Sequence, residues 1–138
     1  MRIGLCSWSL QSVSPVDLAD KVARVGVSSV QLALDPIRTG AWNLDEVRRR
    51  LSGAGITLAS GMMAMAGEDY STLETIKRTG GVAPDATWPA NLEAGRRLAE
   101  LAAELHLPLV TFHAGFIPHN STDPKRRIML DRLRQLAD

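Results

Sequence analysis

Cysteine is all but missing: Cys6 stands alone among 138 residues. A lone thiol forms no internal disulfide and no thiolate metal cluster, and it suits a reducing compartment, so a cytoplasmic location is expected. Excess charge of either sign is missing too. Lys and Arg number 16 against 15 Asp and Glu, a formal net charge of +1. That balance gives no electrostatic reason for nucleic acid or an anionic membrane as a partner. The short run Lys125, Arg126, Arg127 lies among helix formers and reads as a solvated face. No apolar run approaches the roughly 20 residues of a membrane helix. A signal peptide is not expected. Met1 and Arg2 run straight into a strand-like segment, and Ser7, Ser9 and Gln11 interrupt the continuous apolar region one would need.

What the chain does have is alternation. Hydrophobic residues at 45% and charged residues at 22% are ordinary for a globular domain, and the length suits one core. Residues 3–8 (IGLCSW) form the first strand candidate. Ser14-Pro15-Val16-Asp17 starts a helix with a cap, a first-turn proline and an acid at the positive dipole end. Leu18, Val22 and Val25 share its apolar face, and Gly26 stops it. Residues 27–34 are the second strand. Asn43 caps the next helix with Glu46 in capping-box position. Residues 56–65 are the third strand, where Ala59, Ser60 and Gly61 imply close packing.

A long connection, 65–89, follows the third strand. It holds a short helix, 72–77, capped by Ser71 with Glu74. Connections of this length are often binding loops; a surface insertion is the plainer reading. Residues 91–105 form another helix, and 109–116 (LVTFHAGF) the fourth strand. Asp123-Pro124 opens the last helix, with Ile128, Met129, Leu133 and Leu136 buried.

The order βαβαβαβα predicts parallel strands. Two architectures fit. A doubly wound open sheet usually carries a glycine-rich phosphate loop after its first strand. Here that place reads Ser9-Leu10-Gln11-Ser12-Val13-Ser14, with no such motif. A (βα)8 barrel takes about 250 residues, so four units match half of one. Half a barrel has two open strand edges and an uncovered inner face. It is expected to self-associate or to pair with a complementary half. The end inside the fourth unit suggests truncation, with 1–138 as a single N-terminal half.

The segments CSWSLQSVSPVDLADKVARVGVSSVQLALDP, ASGMMAMAGEDYSTLETIKRTGG, APDATW and LVTFHAGFIPH resemble the sugar phosphate isomerase/epimerase group of xylose-isomerase-like TIM barrels. The resemblance runs over essentially the whole chain but only the N-terminal half of that fold. It implies α/β architecture, a parallel (βα)4 half of a (βα)8 TIM barrel. It also implies a metal-dependent isomerase or epimerase acting on a sugar or sugar phosphate. In complete members Mn²⁺ or Mg²⁺ polarises the sugar while carboxylates move a proton. Those ligands typically come from strands five to eight. No metal or catalytic residue is therefore assigned, and no metal is expected for this chain alone. Two other readings stay open: a non-catalytic half-barrel that oligomerises or binds a small ligand, and an open flavodoxin-like domain.

Five residues are candidates for substrate binding. His113, late in the fourth strand, lies at the expected barrel mouth. The resemblance puts a histidine here in the substrate pocket, and in a related endonuclease branch on zinc. It suits a hydrogen bond to a hydroxyl or proton shuttling; a strand-end histidine with structural bonds is the plainer reading. Trp8 offers a face for a sugar ring, against core packing. Gln11 offers hydrogen bonds to hydroxyls. Gln31 is polar within an apolar strand and is predicted to point into the barrel. Glu68, beside Asp69 in the long loop, invites an acid–base role, against simple solvation or capping. His119 reads as an exposed loop histidine and His106 as a helix-end one.

Overall fold

A computed structural model describes residues 3–138. The expectation for Met1 and Arg2 lies outside the described residues. The chain forms two compact units: Met1–Met63 with Leu98–Thr111, and Ala64–Arg97 with Phe112–Asp138.

The first unit is built on a parallel sheet in the order β1-β2-β3-β4. Its strands are Leu5–Cys6, Ser29–Ala33, Thr57–Met62 and Val110–Thr111. A doubly wound sheet reverses its strand order at a switch point. This one adds each strand on the same side, so right-handed crossovers put their helices on one face. Helices α1 (Pro15–Val25) and α3 (Leu44–Gly53) accordingly pack against each other. The open flavodoxin-like alternative fails on that order.

Period-two patterning decides which side of the sheet is buried. Val30 and Leu32 on β2 are fully buried, while Ser29 and Gln31 take the other face. On β3, a Cβ at Gly61 would sit 2.6 Å from Leu34 Cδ1 and 3.1 Å from Leu107 Cδ1. The close packing expected there is real. A bulge after Val30 shifts the register, leaving Gln31 opposite Ser60.

Each strand is shorter than its apolar run. The first ends at Cys6 because the Ser7 hydroxyl turns to accept the Ala33 N–H at 2.7 Å. The chain then winds through a 3-10 turn, Ser7–Leu10, closed by Gln11 at φ 47°. Trp8 therefore rides on a turn and not on a strand. The fourth strand ends at Thr111, so His113 comes two residues after it. A four-residue helix, α2 (Asp35–Arg38), follows β2 directly and was not foreseen; Asp35 pairs with Arg38 at 2.9 Å.

Helix starts follow the side-chain caps. Ser14 accepts the Asp17 N–H at 3.1 Å, and Gly26 (φ 79°) ends α1. Val25, in the last turn, is exposed and not on the buried face with Leu18 and Val22. Asn43 accepts the Glu46 N–H at 3.0 Å, but the Glu46 carboxylate turns to Arg50 instead of closing a capping box.

In the second unit, α4 (Leu73–Thr79) is capped by Thr72 with Thr75 reciprocating, where Ser71 and Glu74 were expected. Helix α5 (Trp88–Glu104) starts three residues earlier than predicted and contributes its later turns to the first unit. Helix α6 (Pro124–Ala137) begins at Asp123, whose carboxylate accepts the Lys125 N–H at 2.8 Å. Met129 is fully buried, whereas Ile128 is exposed and not buried as expected. Among the described residues no helix is long and apolar enough to cross a membrane.

Candidate functional site

Within the second unit, the loop after β3 is anchored before it reaches its acid. The Ala66 N–H donates to Oδ1 of Asn91 at 2.7 Å, and Asn91 on α5 is 1% exposed. Gly67 (φ 83°) then turns the chain. The next side chain, Glu68, is only 7% exposed. It is neither solvated nor a cap, the two plainer readings of its sequence position. A buried carboxylate requires donors, and Glu68 has three. Its Oε1 lies 2.9 Å from Nδ1 of His113 and accepts the Gly81 N–H at 3.0 Å. Its Oε2 accepts the Tyr70 hydroxyl at 3.0 Å. Asp69 caps no helix either; its carboxylate closes a local turn by accepting the Ser71 N–H at 2.8 Å.

A carboxylate only accepts, so the neutral imidazole of His113 carries its proton on Nδ1. Nε2 is then an acceptor, and it is the ring nitrogen not used in that bond. The imidazole is 34% exposed. Two aromatic rings flank it: Phe116 edge-on at 5.7 Å and Tyr70 tilted at 6.2 Å. Tyr70 is 64% exposed and Phe116 41%. The Tyr70 hydroxyl is pushed above the ordinary tyrosine range by its partial burial, then by the bond to Glu68 and that group's charge. It is thus a neutral donor to Glu68 at physiological pH.

Gly81 makes the approach possible. It sits at φ 68°, and a Cβ there would overlap the Ala114 carbonyl group. Val82 N–H donates to that carbonyl at 3.1 Å.

In the first unit, Gln31 donates through Nε2 to Thr111 Oγ1 at 2.9 Å, reaching from β2 to β4. With Cys6, Ser29, Thr57 and Ala59 it lines an open cleft of about 510 Å³ on the sheet face away from Val30 and Leu32. Trp8 and Gln11 share the turn after β1: the Trp8 carbonyl accepts the Gln11 N–H at 3.1 Å, and the Gln11 carbonyl accepts from Lys21 at 3.3 Å. Two further clefts, near 330 and 420 Å³, lie along α3 and hold none of the five candidates.

The structure therefore brings Glu68 to His113, and Gln31 to Thr111. Tyr70, Phe116 and Gly81 were missed as neighbours of His113. Tyr70 is the one tyrosine and stands two residues from Glu68 in a loop, which is the signal that was there to read.

No family model matches the sequence, and no curated protein does. Solved structures do. A xylose isomerase domain protein from Planctomyces limnophilus matches with TM-score 0.73 and 22% identity, over 99% of this chain and 49% of that one. A xylose isomerase-like TIM barrel protein from Mycobacterium smegmatis, crystallised with magnesium, matches with TM-score 0.60 and 14% identity, over 98% and 50%. The fold is half of a xylose-isomerase-like TIM barrel. The chain spans about half the length of the solved structures it matches.

Magnesium in one neighbour raises the question of whether these residues suit a divalent cation. They do not form a set for one. Among the described residues no three His, Cys, Asp or Glu side chains converge. Both oxygens of Glu68 already have donors.

Proposed function

We propose that this half-barrel carries the substrate-binding side of a sugar isomerase or epimerase site, with His113 touching a hydroxyl of a sugar or sugar phosphate. The observation that supports it is the Glu68–His113 pair. Its Nδ1 bond fixes the ring and leaves Nε2 as the acceptor of a part-exposed imidazole that two aromatic rings flank. An oriented acceptor beside apolar walls suits a polyhydroxylated ring, which carries O–H donors at its edge and C–H on its face.

His113 accepts the hydroxyl proton at Nε2. Glu68 holds the opposite nitrogen and balances any positive charge the imidazole gains. Tyr70 and Phe116 exclude water from one side of the ligand. Gln31, Trp8 and Gln11 belong to the first unit and are read separately, as groups able to bind a sugar hydroxyl or ring face there. A divalent ion, Mn²⁺ or Mg²⁺, belongs to the complete site and would polarise the sugar oxygens there. The isolated chain is read as inactive. Its partner is a complementary (βα)4 half, or a second copy, covering the open sheet face of the first unit. The open cleft on that face, where Leu5 and Cys6 stand beside Ser29, Gln31 and Thr57, supports this by leaving room for the partner's side chains.

Saturation-transfer NMR tests the binding, because it reads weak ligands. A panel of free aldoses, ketoses and their phosphates is expected to yield at least one binder. The signal should disappear in His113→Ala and fall in Glu68→Gln. Binding that survives His113→Ala, or a panel without any binder, would refute the reading.

A further inference from the structure

We propose that Arg132, on α6, is a positioning residue: it holds the 80–85 loop so that the Gly81 N–H and Glu68 together set the tautomer of His113. The inference rests on the reading of His113 as the ligand-facing group.

Arg132 is 12% exposed, which is unusual for a guanidinium and requires partners. It has them on one short loop. Its Nη1 donates to the carbonyls of Val82 and Ala83, each at 2.9 Å. Its Nη2 pairs with the Asp85 carboxylate. Its guanidinium lies 5.3 Å from the centroid of Trp88, a cation–π contact at the start of α5. The planar fork of arginine satisfies successive carbonyls and a carboxylate together, which the point charge of lysine does not.

The same loop is fastened on its other side by the bond from Val82 N–H to Ala114, next to His113. Gly81 comes directly before those fastenings, and its N–H meets Glu68 Oε1 at 3.0 Å. That oxygen also receives His113 Nδ1. Freeing the loop removes one of its two donors. The Glu68 carboxylate then gains rotational freedom, and the bias that keeps the proton on Nδ1 weakens. Arg132 acts through this chain of contacts and needs no contact with ligand.

The test is long-range ¹H–¹⁵N NMR of histidine-labelled full-length chain at neutral pH without ligand, together with amide exchange at Gly81. Wild type is expected to show the Nδ1–H tautomer and a protected Gly81 amide. In Arg132→Met the two ring nitrogen shifts should move toward each other, and Gly81 exchange should rise by about tenfold, with amides in the last turns of α5 unchanged. Arg132→Lys should fall between the two. A folded Arg132→Met protein with wild-type His113 shifts and Gly81 protection would overturn the proposal. If Arg132→Met loses its helical circular dichroism, Arg132→Lys decides: unchanged shifts and protection overturn the proposal, and intermediate values support it. No sugar is present in these spectra. Failure to bind sugar with the tautomer intact would therefore count against the proposed function and not against the role of Arg132.

Discussion

At the scale of single residues, the chemistry gathers on one carboxylate. Glu68 accepts from His113, Gly81 and Tyr70, and a bond to a charged acceptor is worth about 1.5–3 kcal/mol. Glu68→Gln keeps the shape and removes the charge. It is expected to weaken any His113-dependent ligand by roughly tenfold, about 1.4 kcal/mol, which a titration would show. Asp17 gives a second residue-scale prediction. Its carboxyl is held below the usual aspartate range, first by the bond from Lys21 and then by the Val13 N–H. A lowered folded pKa stabilises the fold above the ordinary aspartate value, and that stability is lost as pH falls through the lowered one. Asp17→Asn should therefore show a flatter decline of melting temperature from about pH 6 to about pH 3 than wild type does. A parallel decline in both proteins would remove Asp17 from the explanation.

Among elements, caps and close approaches carry the stability. Ser14→Ala removes the acceptor for the Asp17 N–H and should cost about 0.5–2 kcal/mol in urea unfolding. Gly61→Ala would press a methyl group onto Leu34 and Leu107 and should cost about 1–3 kcal/mol. Element identity was legible in the sequence because polar caps and glycine stops are local signals: Ser14, Gly26, Asn43 and Asp123 act as read. Strand ends were not legible. The apolar runs 3–8 and 109–116 continue past the last paired residue, and what ends the pairing is nonlocal. For the first strand it is a serine hydroxyl that meets Ala33, 26 positions away. Helix α2 was hidden for a similar reason, since Asp35-Pro36 looks like a turn until Arg38 closes on Asp35. Within the site, His113 and Glu68 were read as separate candidates. Their pairing joins residues 45 positions apart, and nothing in local patterning marks it.

For the whole molecule, the sequential strand order and the half-length match to longer barrels define what is present. The sheet face of the first unit away from Val30 and Leu32 mixes apolar Leu5 with small and polar groups and opens through a cleft of about 510 Å³. The proposed pairing across that face predicts concentration-dependent self-association in light scattering. A large charged group placed in the cleft, as in Ala59→Arg, should abolish it. A strict monomer over the whole concentration range would leave the complementary half as the partner and exclude the second copy. The measurement that bears most directly on the sugar-binding reading is protein-observed NMR of the ¹⁵N-labelled chain, titrated with whichever sugar of the panel binds. The expected result is saturable shifts centred on the His113 ring, with Tyr70 and Phe116 moving in step. Shifts confined to residues away from His113 would contradict it.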